Sequence, residues 1–388
     1  MLYAAIIGTG NISAAHIRGY LTFPEEVKIV ALCDIYPEKA EQKKRDFGLT
    51  DAVVTPDYRE LTKLAHIDLV SVCTPPYTHA EIAADMLRAG CHVLLEKPMA
   101  ASLEECDRVL AAQRESGMLL GQVAQNRFTT PYMQLKQTLD SGLIGRVTAA
   151  QVDSLWWRGH SYYDLWWRGT WEKEGGGCTL NHAVHHIDLL LWLLGMPERV
   201  TAVLSNAAHD NSEVEDISVA VCEYAGGALA TVTSSVIHHG EAQQVVLQGE
   251  HARVSAPWGV YASTAMPNGF PVENKELEAK LEALHGSLPV LEYTGHTAQI
   301  QDFLRAVAQG GRPFITGEDG RRTLELISAI YQAGFARRTV TLPLTPADPF
   351  YTVAGIQNNV RHFYTKTASV LDQSGQITVG GDMGGTKA

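Results

Sequence analysis

Apolar and polar positions in the first third of the chain fall into short alternating blocks. Tyr3–Gly8, Val27–Asp34, Leu69–Cys73, His92–Leu95 and Met118–Val123 are apolar runs of strand length. Between them lie helical segments: one opening near Ser13 and running to about Leu21, then Pro37–Phe47, Thr78–Ala89 and Ser102–Ser116. This alternation predicts a mostly parallel, doubly wound α/β sheet over residues 1–123.

A different rhythm follows. Val147–Leu155 alternates as a strand, and short alternating strands recur from Glu198 to Ala262. Ile217–Tyr224 and Leu229–Val236 are joined by Ala225-Gly226-Gly227, a tight hairpin. Such a sheet needs a cover on one face and offers the other to a partner. Met266–Leu288 is a polar excursion with a charged surface helix, Glu273–Leu284. Ile300, Phe303, Leu304 and Val307 then stripe one face of a helix that follows His296. Another helix spans Thr323–Ala336 and a closing strand Thr339–Pro343, and these helices are expected to return beside the first domain. The second domain thus covers 124–345. Residues 346–388 form a tail, Gly-rich from Gly375 to Ala388, read as mobile or as an arm that orders on a neighbour.

One stretch breaks its own pattern. Gly175-Gly176-Gly177 leads into Asn181, His182, His185, His186 and Asp188, and then into the apolar run Ile187–Leu194. A short buried helix stopped by a left-handed Gly195 is predicted. Positions 181, 185 and 188 share one helical face. An amide, an imidazole and a carboxylate on such a face either satisfy one another in the core or wall a pocket. His182 and His186, four apart, could chelate a metal, but nothing at zinc spacing completes a site, and no metal is expected.

Totals narrow the classes. The chain has 388 residues, 45% of them hydrophobic, with a net charge of −12. Two domains with sizeable cores are expected. The negative field disfavours a nucleic-acid backbone. No apolar run reaches the ~18 residues of a membrane span. The N-terminus lacks a basic segment before its apolar run and reads as no signal peptide. Six cysteines without close pairing read as reduced, buried thiols of a cytoplasmic protein.

The first βα turn carries Gly8-Thr9-Gly10-Asn11-Ile12-Ser13, followed by Asp34 at the end of the next strand. Glycines there let a pyrophosphate approach a helix N-terminus, and the acid accepts from ribose hydroxyls. Ser13 stands where a third glycine would be expected. Asp34 would repel a 2′-phosphate, so NAD is favoured over NADP. Thr74-Pro75-Pro76 and His79 follow another strand at the same sheet edge, where Thr78 could also cap the next helix. Glu96-Lys97-Pro98 ends a further strand there. Lys97 either enters the cleft with a lowered pKa or merely pairs with Glu96. Residues 156–171 hold five of the seven tryptophans with Arg158, Tyr162, Tyr163 and Arg168. They suit a small polyhydroxylated ring, or else pack a junction. His296 could reach the site or be a core or surface residue.

Taken together these motifs resemble the Gfo/Idh/MocA family of glucose–fructose oxidoreductases and inositol dehydrogenases. The likeness runs through Gly8–Ile12 with Asp34, Thr74-Pro75 with His79, Glu96-Lys97-Pro98, Asn126-Arg127-Phe128, Trp167-Arg168, and Gly175-Gly176-Gly177 leading to His185 and Asp188. It continues from His296 to Pro343. The resemblance implies an N-terminal Rossmann domain and a C-terminal α+β domain with a large open, mainly antiparallel sheet. It implies catalysis by Lys97 with His185, and substrate contacts from Arg127, Asn181, Tyr163 and His182. It places Asn126, Trp167 and Arg168 with Glu96 and Lys97 near a bound nicotinamide. A homodimer or homotetramer through the sheet is also implied. Many relatives have aspartate four residues before the histidine where this chain has Asn181.

The expected activity is NAD-dependent hydride transfer from a secondary hydroxyl of a sugar, sugar acid or cyclitol. Two alternatives stand beside it. One is a redox-neutral hydrolase or isomerase that retains its NAD; the other is a non-catalytic NAD sensor.

Overall fold

A computed structural model describes residues 1–370; the Gly-rich segment expected to be an arm, 375–388, lies outside them. The first sheet comprises β1 (Leu2–Ile7), β2 (Val27–Cys33), β3 (Val53–Thr55), β4 (Leu69–Val72), β5 (His92–Leu95) and β6 (Leu120–Gln122). All pair in parallel, in the order β3-β2-β1-β4-β5-β6. Strand order reverses at β1 and β4, and ligands of such sheets sit beyond the strand ends at that point. Apolar runs marked every strand except β3, whose three residues are too few to show a period. Helices Ser13–Leu21, Pro37–Asp46, His79–Arg88 and Leu103–Ser116 connect the strands.

The second sheet has nine strands. They are β7 (Val147–Trp157), β8 (Arg199–Ser205), β9 (Ile217–Glu223), β10 (Leu229–Ser235), β11 (Ile237–Gly249), β12 (Ala252–Ala256), β13 (Gly259–Ala265), β14 (Pro271–Glu273) and β15 (Val340–Thr341). Their order is β14-β13-β12-β11-β7-β10-β9-β8-β15, antiparallel except for β7 against β10. One face packs beneath helices Val184–Leu194 and Gly317–Ala336. The other stays open: Val203, Val219 and Leu229 are exposed at alternating positions. Between β7 and β11 the register slips, leaving residues 238–241 bulged out of the ladder.

The two domains share apolar core. One cluster joins Val70 and Leu95 of the first sheet to Leu326 and Val232 of the second half. The helix Gly295–Gln309 returns to the first domain, as its stripe predicts, and buries Ile300, Phe303 and Leu304 with Ile17 and Tyr20. A Cβ on Gly19 would lie 2.4 Å from Ile300 Cδ1, so any side chain there would have to displace the Ile300 tip.

Several boundaries differ from expectation. The helix expected at Thr323 begins at Gly317, because Thr316 and Asp319 form a reciprocal cap. The charged helix starts at Lys275, since 271–273 pair as β14. It is not wholly superficial, because Leu281 is fully buried. The run after the glycine triplet splits into Cys178–Asn181 and Val184–Leu194. Gly195 has positive φ but extended ψ (78°, −172°), so it ends the helix without the left-handed helical conformation. All six cysteines are buried and unpaired.

Candidate active site

The turn after β1 is built for close approach. Gly8 has φ 89°, and a Cβ there would lie 2.8 Å from the Cys73 and Thr74 backbone. Only glycine lets the turn lie against the loop after β4. Ser13 is fully buried and donates to the Gly10 carbonyl at 2.6 Å, so it fills the third-glycine position without opening the turn. Asp34 Oδ2 accepts from Thr9 N and Oγ1, both at 2.8 Å, and Oδ1 accepts from Tyr36 N. The donor set, the tight turn and the acid beside it fit a dinucleotide whose pyrophosphate meets the Ser13–Leu21 N-terminus.

Thr74 and Pro75 form the adjoining loop. Thr78 precedes the next helix but makes no side-chain cap; its hydroxyl donates to Thr74 Oγ1 and the Pro75 carbonyl. His79 is fully buried, with Nδ1 2.8 Å from the Pro98 carbonyl and Nε2 2.7 Å from the Thr74 carbonyl. Burial lowers its pKa while the two carbonyls favour a charged ring. Its place is a brace tying the loops after β4 and β5, with both ring nitrogens facing backbone carbonyls.

Glu96 is equally committed. Oε1 meets His16 Nε2 at 3.0 Å and His296 Nε2 at 3.1 Å, while Oε2 accepts from Lys97 N. Ser71 links His16 to Tyr20 beyond. Burial opposes the Glu96 charge, but the two histidines outweigh it and hold the carboxyl well below its usual range. Among the described residues this trio is the one set of metal-type ligand atoms within 4.8 Å of one another. Those atoms are spent on hydrogen bonds to each other. Glu96 therefore leaves Lys97 unpaired with it. The sequence singled out His296 but missed His16, an interior helix residue with nothing beside it to mark it.

Lys97 Nζ donates to the Asn181 carbonyl at 3.0 Å, so the ammonium crosses from the first domain to the second. Burial lowers its pKa, aided by Arg168 and opposed by Glu96 and Glu174. His185 has its pKa driven well below 6.5, first by burial and then by Lys97. Lys97, His185 and Asp188 line one narrow crevice with Met99, Gln122 and Thr323. The two groups expected to act together are thus brought together.

Asn181 turns away. Its Nδ2 donates to the carbonyls of Gly176 (3.0 Å) and Gly177 (3.4 Å), so the amide stitches the glycine turn. That turn is fixed from below by Glu215, fully buried, which accepts from Gly177 N, Thr179 N and Tyr331 Oη at 2.9–3.0 Å. Burial pushes its pKa up to about 7. A Cβ on Gly177 would fall 1.9 Å from the Glu215 carbonyl oxygen, and one on Gly176 2.2 Å from Tyr331 Oη. Gly176 and Gly177 lack side chains because Tyr331 and the Glu215 backbone occupy that space, while Gly175 adopts φ 83°. Glu215, some forty residues away in an irregular segment, carried no local signal.

Two residues expected to contact substrate have their side chains engaged within the protein. Arg127 is 3% exposed; its Nε and Nη2 grip Asp188 at 2.8 and 2.7 Å, and Nη1 reaches Asp319 at 3.3 Å. Its fork ties the His185 helix to the cap of Gly317–Ala336. Tyr163 is 1% exposed and packs edge-on against Tyr162 and His209. Its neighbour Tyr162 faces His182 instead (ring centroids 5.7 Å). His182 is buried, with Trp156 on another side (5.9 Å) and no partner for Nδ1. His186 diverges towards Tyr132, so the two histidines do not converge as a chelate. Arg168 lies over Trp167 (4.3 Å) and Tyr162 (4.4 Å), and its Nη1 pairs with buried Glu174 at 2.9 Å. Glu174, next to the triplet, was not anticipated. Asn126 lies in the short turn Gln125–Phe128 after β6, on the cofactor side.

Comparison with known proteins agrees with this layout. Residues 2–123 match the oxidoreductase family model with an NAD-binding Rossmann fold, and residues 132–255 match the GFO/IDH/MocA C-terminal domain. The chain is 27% identical over 334 residues to a scyllo-inositol 2-dehydrogenase (NADP(+)) of Bacillus subtilis, covering 79% of this chain and 87% of that protein. It is 23% identical to a myo-inositol 2-dehydrogenase of Thermotoga maritima, covering 87% and 97%. Among solved structures, the WlbA dehydrogenase of Bordetella pertussis, in complex with NADH and UDP-GlcNAcA, superposes with TM-score 0.76 at 26% identity, covering 89% of this chain and 98% of that one.

Proposed function

Because this chain belongs to the Gfo/Idh/MocA family of oxidoreductases, we propose that it transfers a hydride between a nicotinamide and a secondary hydroxyl of a sugar, sugar acid or cyclitol. The observation that carries the reading is the convergence of Lys97 and His185 on one crevice at the domain junction. Relatives are NAD(P)-dependent dehydrogenases of inositols and a glucoside, which supports the same class.

The nicotinamide supplies the hydride acceptor when bound. Gly8, Thr9, Gly10, Asn11 and Ile12 would hold the pyrophosphate and Asp34 the adenosine ribose; Asp34 argues for NAD over NADP. Thr74, Pro75, Asn126 and Trp167 would complete the cofactor's surroundings, Glu96 would brace Lys97 from behind through its backbone, and Arg168 would stand between cofactor and substrate. Lys97 and His185 share removal of the hydroxyl proton. Burial keeps the imidazole neutral and therefore able to accept. The backbone of Asn181, anchored to the glycine turn, holds Lys97 in reach of the substrate oxygen, where orientation alone lowers the barrier. His182 closes the substrate side.

The functional division falls near residue 123, where the cofactor half gives way to the substrate half. The open sheet face, with Val203, Val219 and Leu229 exposed, suits a second copy of the chain. No helix among the described residues is long and apolar enough to cross a membrane. Six unpaired cysteines favour a reducing compartment.

A panel of sugars, sugar acids and cyclitols, each with NAD and NADP and followed at the nicotinamide band, tests the reading. Reduction of the nicotinamide by at least one member is expected. Product formation without net nicotinamide reduction would transfer the case to redox-neutral chemistry, and silence across the panel to a sensor.

A further inference from the structure

We infer that the substrate carries an oxyanion on its sugar or cyclitol ring, held beyond the reacting hydroxyl by Arg158 and Arg168 in an aromatic box. The inference rests on the dehydrogenase reading above and narrows its substrate class.

The box adjoins Lys97 through His182, which follows the Asn181 that Lys97 binds and lies within reach of the Lys97 charge. Trp156 and Tyr162 flank the His182 ring at 5.9 and 5.7 Å. The Arg158 guanidinium lies over the same two rings, 5.3 Å from Trp156 and 5.8 Å from Tyr162. Arg168 lies over the opposite pair, Tyr162 and Trp167. Cation–π contact holds both guanidinium groups over the rings, and Arg158 Nη1 also donates to the Trp157 carbonyl at 2.6 Å.

Each arginine uses one nitrogen on a carboxylate: Arg158 Nη1 on Glu241 at 2.8 Å, and Arg168 Nη1 on Glu174 at 2.9 Å. Both side chains keep solvent contact, 23% and 21% exposed. The charges acting most on His182 are all positive, Arg158, Arg168 and Lys97, and its buried Nδ1 has no partner among the described residues.

A second observation concerns the wall opposite. Arg158 is held there by residues 238–241, the bulge in β11. Glu241 adopts φ 35°, an uncommon conformation for a residue with a side chain, and His239 stacks on Trp157 at 5.5 Å. The ladder is interrupted where the Arg158 partner must be aimed. Guanidinium edges take carboxylate and phosphate alike through paired charged hydrogen bonds.

The test uses the full chain with NAD and three compounds sharing one ring: glucose, glucuronate and glucose 6-phosphate. At least one anion should exceed glucose in kcat/KM by about 10- to 100-fold, as charged hydrogen bonds allow. The better anion tells carboxylate from phosphate. Arg158→Met should collapse that ratio by about tenfold or more, and Arg158→Lys should restore only part of it. Tryptophan fluorescence, to which Trp156 and Trp167 of the box contribute, should respond to the preferred anion and lose that response in Arg158→Met. Glucose turned over as well as both anions would overturn the inference and leave the dehydrogenase reading standing. Arg158-dependent quenching with no nicotinamide reduction would support the anion site and remove the dehydrogenase reading.

Discussion

Arg127 grips Asp188 through two parallel bonds of 2.7 and 2.8 Å, one helical turn beyond His185 and in the same crevice wall. The pair decides where the imidazole points, because Asp188 cannot move without moving the helix that carries His185. Both partners are 4% exposed at the side chain. Removing one leaves the other charge buried and alone. Arg127→Met should therefore cost about 3–5 kcal/mol of stability. Denaturant unfolding measures it; a midpoint shift near zero would show that Arg127 was free for substrate after all.

Lys97→Met should lower kcat by about a hundredfold or more, the usual scale of proton transfer. Affinity for the oxidised cofactor should change little. A lysine that must lose its proton to act makes the rate rise with pH. Burial lowers the Lys97 pKa from 10.5, so that rise should come earlier than for a free lysine and be absent from the variant. Unaltered turnover in Lys97→Met would dismiss the lysine from the mechanism.

Glu215 should make stability fall as pH rises. Its pKa is about 7 in the folded chain against 4.5 for the ordinary group. A raised folded pKa means its contribution is intact below about pH 4.5 and lost by about pH 7. The loss amounts to about 3 kcal/mol. Unfolding midpoints across that window should slope less steeply in Glu215→Gln than in the parent. Parallel slopes would mean the acid is ionised throughout.

Asn181→Asp places a carboxylate four residues before His185, yet it should not improve the enzyme. Its side chain would face the Gly176 and Gly177 carbonyls with an acceptor where a donor now sits. A loss of about 1–3 kcal/mol and lower turnover are expected. Thermal melts with steady-state kinetics check both; faster turnover would mean the residue can swing to His185.

Asp34→Ala should reduce the NAD-over-NADP ratio of kcat/KM by about tenfold or more, because the 2′-phosphate no longer meets a like charge. An unchanged ratio would place cofactor choice elsewhere.

Local pattern determined much of this protein. Alternating runs with Gly8, Gly10 and Asp34 specify a nucleotide turn, since strand burial and backbone freedom are properties of neighbouring residues. Glu96-Lys97-Pro98 at a strand end likewise announced a cleft residue. What neighbours could not reveal were partners distant in sequence. Whether Lys97 pairs with Glu96 depended on His16 and His296, 80 and 200 residues from Glu96, which occupy that carboxylate first. Arg127 looked like a ligand donor until Asp188 and Asp319 took its fork. Tyr162 and Tyr163 are adjacent and chemically equal, and only the approach of His182 and Arg168 separated the one facing the box from the one in the core. The elements follow from short-range periodicity, whereas the assignment of each polar group follows from which buried charge or donor the fold brings to it, and only the tertiary structure holds that information.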